Sequence, residues 1–249
     1  MKIIYTSFLL QPKTRDNKLI TESFQNENGI IDILKAELNS FNKLVFITNR
    51  WNSTTPKNQP KDEVHNDYHY TNNQYAKAVK EGFKLAGIDF KQMVVVDCKY
   101  NGILKDDIKD ADMIYIQGGH TPRGLKILKD IKFVDCIKKY KGVMVFNSTA
   151  AKLPATKALS THHGNMKEFE IEESLCLKDY SIRPHFSYSL KEYLFNKKFR
   201  NRIKLIKAFS KHVDVYGLGG NSYIFDNDKE FKIYGKCWLF RQGKLKKLQ

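Results

Sequence analysis

The chain lacks any apolar run near the roughly 18 residues that a membrane-spanning helix requires, which excludes a helical span. Its start, MKIIYTSFLLQPK, carries one lysine ahead of too short an apolar stretch for a signal peptide, and reads as a first strand. Paired cysteines are lacking as well. Cys98, Cys136, Cys176 and Cys237 are widely spaced with no CxxC pair, which argues for reduced, packed thiols rather than a disulfide framework. A cytoplasmic protein is expected. That address removes the N-glycosylation reading of Asn147-Ser148-Thr149, a modification of secreted surface loops. Internal repeats, low-complexity linkers and clear domain boundaries are missing too, so one domain is expected over residues 1–249, long enough to bury a substantial core.

Acidic charge is scarce. Against 43 Lys and Arg stand 27 Asp and Glu, a formal net charge of +16. Such a balance suits a polyanionic partner. Yet the lysines of NKLITES and YAKAVKEGFKLAG are interleaved with acids and apolar residues, as on solvated helix faces. The densest basic stretches, Phe195 to Lys207 and the tail RQGKLKKLQ, carry no nucleic-acid motif. A lysine-rich surface is the plainer reading, with neither nucleic acid nor membrane as partner.

What is present is alternation. The apolar runs KIIYTSFL, KLVFIT, QMVVVD, DMIYIQ and GVMVF read as strands. Between them GIIDILKAELNS, NNQYAKAVKEGFKLAG and TPRGLKILKDIKFVDCIKKY have apolar residues at helical spacing. This order predicts an α/β fold with a mostly parallel central sheet and helices on both faces. The continuous apolar character of MVVV and VMVF fits strands covered on both sides. Later, DYSIRPHFSY reads as extended and KKFRNRIKLIKAFSKH as helical. VDVYGL, SYIFDN, EFKIYG and CWLFRQG then follow one another between turn signals, as in a C-terminal antiparallel β-hairpin extension. A polar segment at 49–73 interrupts the rhythm and is longer than connections normally are. His65 and His69 within it have the spacing of two ligands on one helical turn, but no carboxylate-rich motif completes a metal site, and no metal is expected.

Three short segments each follow an expected strand, at the sheet edge where sites of open α/β sheets form. In IYIQGGHTPRGL, Gly118-Gly119 permits a sharp turn with exposed N–H groups, and Thr121-Pro122 opens a helix that Thr121 caps. In KGVMVFNSTAAKL, Ser148 stands at a strand-to-helix corner, either as a helix cap or as a nucleophile on a strained turn. Such a turn wants small residues two before and two after the serine; Ala150 fits and Phe146 does not. In SIRPHFSYS, a preceding proline presents His185, either as a structural histidine or as a general base.

In this order QGGHT, FNSTAA and RPHF resemble the peptidase E (aspartyl dipeptidase) family of serine peptidases, over nearly the whole chain. The resemblance implies a class I glutamine amidotransferase-like fold, a flavodoxin-like three-layer sandwich. It implies Ser148 as nucleophile, His185 as base, and an oxyanion hole from Gly118, Gly119 and Thr149. It implies a small peptide or amide substrate, with N-terminal Asp as the first to try, and no cofactor. The sequence departs from the family pattern in places. His120 replaces an asparagine, and Phe146, Thr149 and Ala150 replace Gly, Ala and Gly. The third catalytic member, an Asp or Glu, falls by ungapped counting at His163; Glu168 is the nearest carboxylate in its place. His120, Arg200 and Arg202 are the residues offered for binding substrate, the arginines for its carboxylate. Lacking a carboxylate to hold the imidazole tautomer, a triad loses about 10⁴-fold in rate. The alternative function is therefore a family member that has lost catalysis and serves in binding or regulation.

Overall fold

The computed structural model describes residues 1–7, 13–15, 18–21, 26–49, 72–97, 100–161 and 169–249. The polar segment at 49–73 lies largely outside the described residues, with His65 and His69, and so do Cys98, His163 and Glu168. The three described cysteines, Cys136, Cys176 and Cys237, are free thiols.

The chain begins with β1 (Lys2–Thr6), a short pair β2 (Lys13–Arg15) and β3 (Lys18–Ile20), and α1 (Ile30–Glu37). Next come β4 (Lys43–Ile47), α2 (Asn72–Leu85), β5 (Gln92–Val96), α3 (Leu104–Lys109) and β6 (Met113–Ile116). Then follow α4 (Thr121–Asp130), α5 (Phe133–Ile137), β7 (Val143–Asn147), a 3-10 turn (Ser148–Lys152), β8 (Lys157–Thr161) and β9 (Phe169–Glu173). The remainder is β10 (Tyr180–Arg183), α6 (Leu190–Phe195), α7 (Lys197–Phe209), β11 (Asp214–Leu218), β12 (Tyr223–Asp226), β13 (Phe231–Tyr234), β14 (Cys237–Arg241) and β15 (Lys244–Lys247).

Seven strands form the main sheet in the order β13-β12-β1-β7-β6-β4-β5. From β1 to β5 every pairing is parallel, as the strand-helix alternation requires. Every residue of β4, β6 and β7 is buried, and alternate side chains enter two different cores. Val45, Ile114, Met144 and Phe146 join Leu125, Leu128 and Phe133 of α4 and α5. Leu44, Phe46, Tyr115 and Val145 join Leu34, Val79 and Phe83 of α1 and α2. Burying apolar area on both faces at about 25 cal/mol per Å² makes β7 one of the least yielding parts of the molecule, and the serine corner grows from its end.

Two expectations need correction. The helical pattern of TPRGLKILKDIKFVDCIKKY is broken at Lys132, whose φ of +51 divides α4 from α5. The break turns fully buried Phe133 onto Phe146, ring centroids 6.4 Å apart and nearly perpendicular. The C-terminal strands also do not make one run of hairpins. The turns at Gly219–Asn221 and Gly235 carry the chain between two sheets, because β12 pairs antiparallel with β1 while β11 pairs with β10 and β14. True hairpins close only between β12 and β13 and between β14 and β15. The second sheet, β10-β11-β14-β15, receives the apolar face of α7, where Phe199, Ile203, Ile206 and Phe209 meet Val215 and Phe240. Lys197, Lys198 and Lys204 of the same helix are exposed, so this basic stretch is the solvated side of a packed amphipathic helix.

Candidate active site

Strand β7 ends at Asn147, and the next residue, Ser148, has φ +55. A left-handed conformation is uncommon for a residue with a Cβ and costs on the order of 1–3 kcal/mol, so the surrounding structure must impose it. Before it, Phe146 is fully buried, stacked on Tyr5 at 6.2 Å between centroids. Its ring belongs to the core on the α4 and α5 face. The bulky residue that did not suit a tight elbow is therefore absorbed by the strand's alternation. Ala150, at 1% exposure, fills the other side of the turn.

His185 follows buried Pro184 and is left-handed too, with φ +53. Its backbone N–H donates to Ser7 Oγ at 2.6 Å. Ser7 is fully buried just past β1, and its hydroxyl reaches the Leu218 carbonyl at 3.4 Å. The Phe186 N–H donates to that same carbonyl at 2.7 Å. The histidine is thus tied to the carboxyl ends of β1 and β11. From this mooring its Nε2 lies 2.7 Å from Ser148 Oγ, a full-strength hydrogen-bond distance. With the proton on Nδ1, the serine hydroxyl donates to Nε2, the arrangement a base requires. The residue keeps an exposed edge. Its pKa is lowered below the ordinary 6.5, first by desolvation of the ring and then by the Arg183 and Lys152 cations.

The glycine turn packs directly on the serine corner. A Cβ on Gly118 would lie 2.7 Å from both the Asn147 carbonyl oxygen and Ser148 Cβ, and 3.1 Å from the Thr149 nitrogen. Only glycine allows that approach. The Gly119 N–H donates to Thr149 Oγ1 at 2.6 Å, and the threonine hydroxyl donates to the Gly119 carbonyl. Asn49, just past β4, donates from Nδ2 to the His120 carbonyl at 3.1 Å and clamps the turn from outside. His120 is exposed and occupies the N-cap position of α4. Thr121, expected to cap, is instead the first helical residue.

Of the residues singled out in the sequence, Ser148, Thr149, Gly118, Gly119 and His185 come together. Arg200 on α7 donates from Nη1 to the Leu194 carbonyl at 3.0 Å, at the end of α6. Arg202 has its Nε buried without a hydrogen-bond partner among the described residues, and its charge acts on Arg183. Glu168 lies outside the described residues. Sequence reasoning missed Ser7, Asn49, Lys152 and Arg183. Ser7 and Asn49 each sit just beyond the carboxyl end of a parallel strand, and that placement was the available signal. Burial pushes Lys152 down to about 7, with Arg183 adding to the effect.

A model of peptidase family S51 matches residues 67–234. No curated protein matches the chain. Among solved structures, the 1.5 Å crystal structure of a candidate peptidase E protein from Listeria monocytogenes EGD-e matches with a TM-score of 0.53 at 14% identity. The match covers 93% of this chain and 96% of that one. At so low an identity the likeness speaks for the fold.

Proposed function

The chain belongs to peptidase family S51, and from that premise we propose that it is a serine hydrolase cleaving a short peptide or related amide, with Ser148 as nucleophile and His185 as base. The observation that carries this reading is the 2.7 Å contact between Ser148 Oγ and His185 Nε2, made by a serine at positive φ on the end of a buried strand. As Oγ attacks the amide carbonyl, its proton passes to Nε2, and the carbonyl oxygen becomes an oxyanion. The Gly119 N–H is committed to the threonine hydroxyl, so we assign the oxyanion to the N–H groups of Gly118 and Thr149. The tetrahedral adduct collapses as His185 returns the proton to the leaving amine. Water, deprotonated by the same imidazole, then hydrolyses the acyl-enzyme and frees Ser148.

One observation favours the second reading, a family member without catalysis. Among the described residues, the charges acting on His185 are cations, which disfavour the imidazolium that forms during turnover. Against it stands the strained backbone at Ser148, which a retired site has no need to keep. Hydrolysis of a dipeptide panel with Asp, Glu and apolar N-terminal residues separates the two. The proposal expects turnover by the wild type, fastest with an acidic first residue, and none by Ser148→Ala. Wild-type rates equal to those of the variant on every amide tried overturn it.

A further inference from the structure

Ser148 and His185 stand on different sheets. Ser148 follows β7 in the middle of the seven-stranded sheet, and His185 follows β10 at the edge of the four-stranded one. The 2.7 Å contact between their side chains therefore requires that the two sheets be held together at this point. Ser7 stands there. β1 and β7 run parallel with Thr6 opposite Asn147, so the next residues along, Ser7 and Ser148, leave the main sheet side by side. From that place the Ser7 hydroxyl oxygen accepts the His185 backbone N–H across to the other sheet.

The histidine has a specific need for this acceptor. On one side β10 pairs with β11, and the Phe186 N–H extends that pairing by donating to the Leu218 carbonyl. The other side of β10 is a sheet edge with no strand beside it among the described residues. A part-buried N–H there is costly unless something else takes it. Ser7 is itself fixed from both sheets. It is fully buried, its backbone N–H donates to the Ser222 carbonyl at 3.1 Å ahead of β12, and its hydroxyl reaches Leu218 at the end of β11. The same bond helps to offset the cost of the left-handed φ at His185.

We propose that Ser7 is a positioning residue: its hydroxyl sets the distance from His185 Nε2 to Ser148 Oγ and touches no substrate itself. The role in catalysis rests on the hydrolase reading, whereas the hold on the histidine backbone does not.

Ser7→Ala keeps the site small and deletes only the acceptor. The first measurement is the rate of phosphonylation of Ser148 by a fluorophosphonate over a range of reagent concentrations. The maximal rate is expected to fall about 10–100-fold, because small misplacements at a reacting pair are that costly, while the half-saturating concentration stays unchanged. Ser40→Ala is the control. It removes a buried-side hydroxyl bond to Asp112 at the opposite, amino ends of the strands. Both variants are expected to lose a few degrees of Tm, and only Ser7→Ala to lose rate. The second measurement is amide hydrogen exchange, in which the His185 N–H of Ser7→Ala is expected to exchange about tenfold faster than that of the wild type. A wild-type protein that takes no label overturns the hydrolase reading, and the exchange rates then still decide whether Ser7 holds the histidine. Labelling of Ser7→Ala at the wild-type rate, or a His185 N–H as protected as in the wild type, overturns the proposal.

Discussion

His185→Asn is expected to lower kcat/KM on the best amide substrate by about 10⁴-fold or more, as loss of one member of a Ser-His unit does in serine hydrolases. Asparagine is the informative replacement because it tolerates the left-handed φ of +53 better than other residues, so the backbone tie to Ser7 survives. The loss is then chemical rather than structural. The wild-type pH profile carries the same information. A general base works when neutral, and this imidazole's pKa lies below 6.5. Activity is therefore expected to persist as pH falls past 6.5 and to decline only lower, with a midpoint on the acid side of 6.5. In the variant that limb is absent. Full kcat/KM profiles of both proteins check it, and a wild-type midpoint above 6.5 contradicts the cationic surroundings described for His185.

Gly118→Ala has the second-largest expected effect. The new methyl group meets the Asn147 carbonyl oxygen and Ser148 Cβ at 2.7 Å, and neither is the yielding tip of a long side chain. The glycine turn and the serine corner must separate. A displacement of that size at a nucleophile and its oxyanion donors costs about 10²–10³ in kcat. Overpacking of this kind costs roughly 1–3 kcal/mol, or a few degrees of Tm in a chain of this length. Gly220→Ala is the control, since a Cβ there meets nothing within 4 Å and its φ is not in the left-handed region. Retention of wild-type kcat by Gly118→Ala contradicts the close packing of the two turns.

Much of this was legible in the sequence because the signals are local. Apolar runs placed β1, β4, β6 and β7, and the three motif segments stand just past strand ends, where the nucleophile and base were expected. What was illegible depends on register and on partners far along the chain. Phe146 looked too large for its turn because the sequence does not say that alternation sends its ring into the α4 and α5 core. Four late strands looked alike, yet β12 pairs with β1, more than two hundred residues earlier, and β11 with β10 and β14. Lys152 and Arg183 read as ordinary basic residues. The withdrawal of Lys152 from water appears only when β10, α7 and the serine turn are packed together.

The central claim is that His185 makes Ser148 a nucleophile. Its most direct test is reaction with a fluorophosphonate, followed by intact mass and peptide mapping. The account predicts about one phosphonyl group per chain, carried on Ser148, and no adduct in His185→Asn. A folded wild-type protein that leaves Ser148 unmodified, or that labels it equally well without His185, contradicts the account.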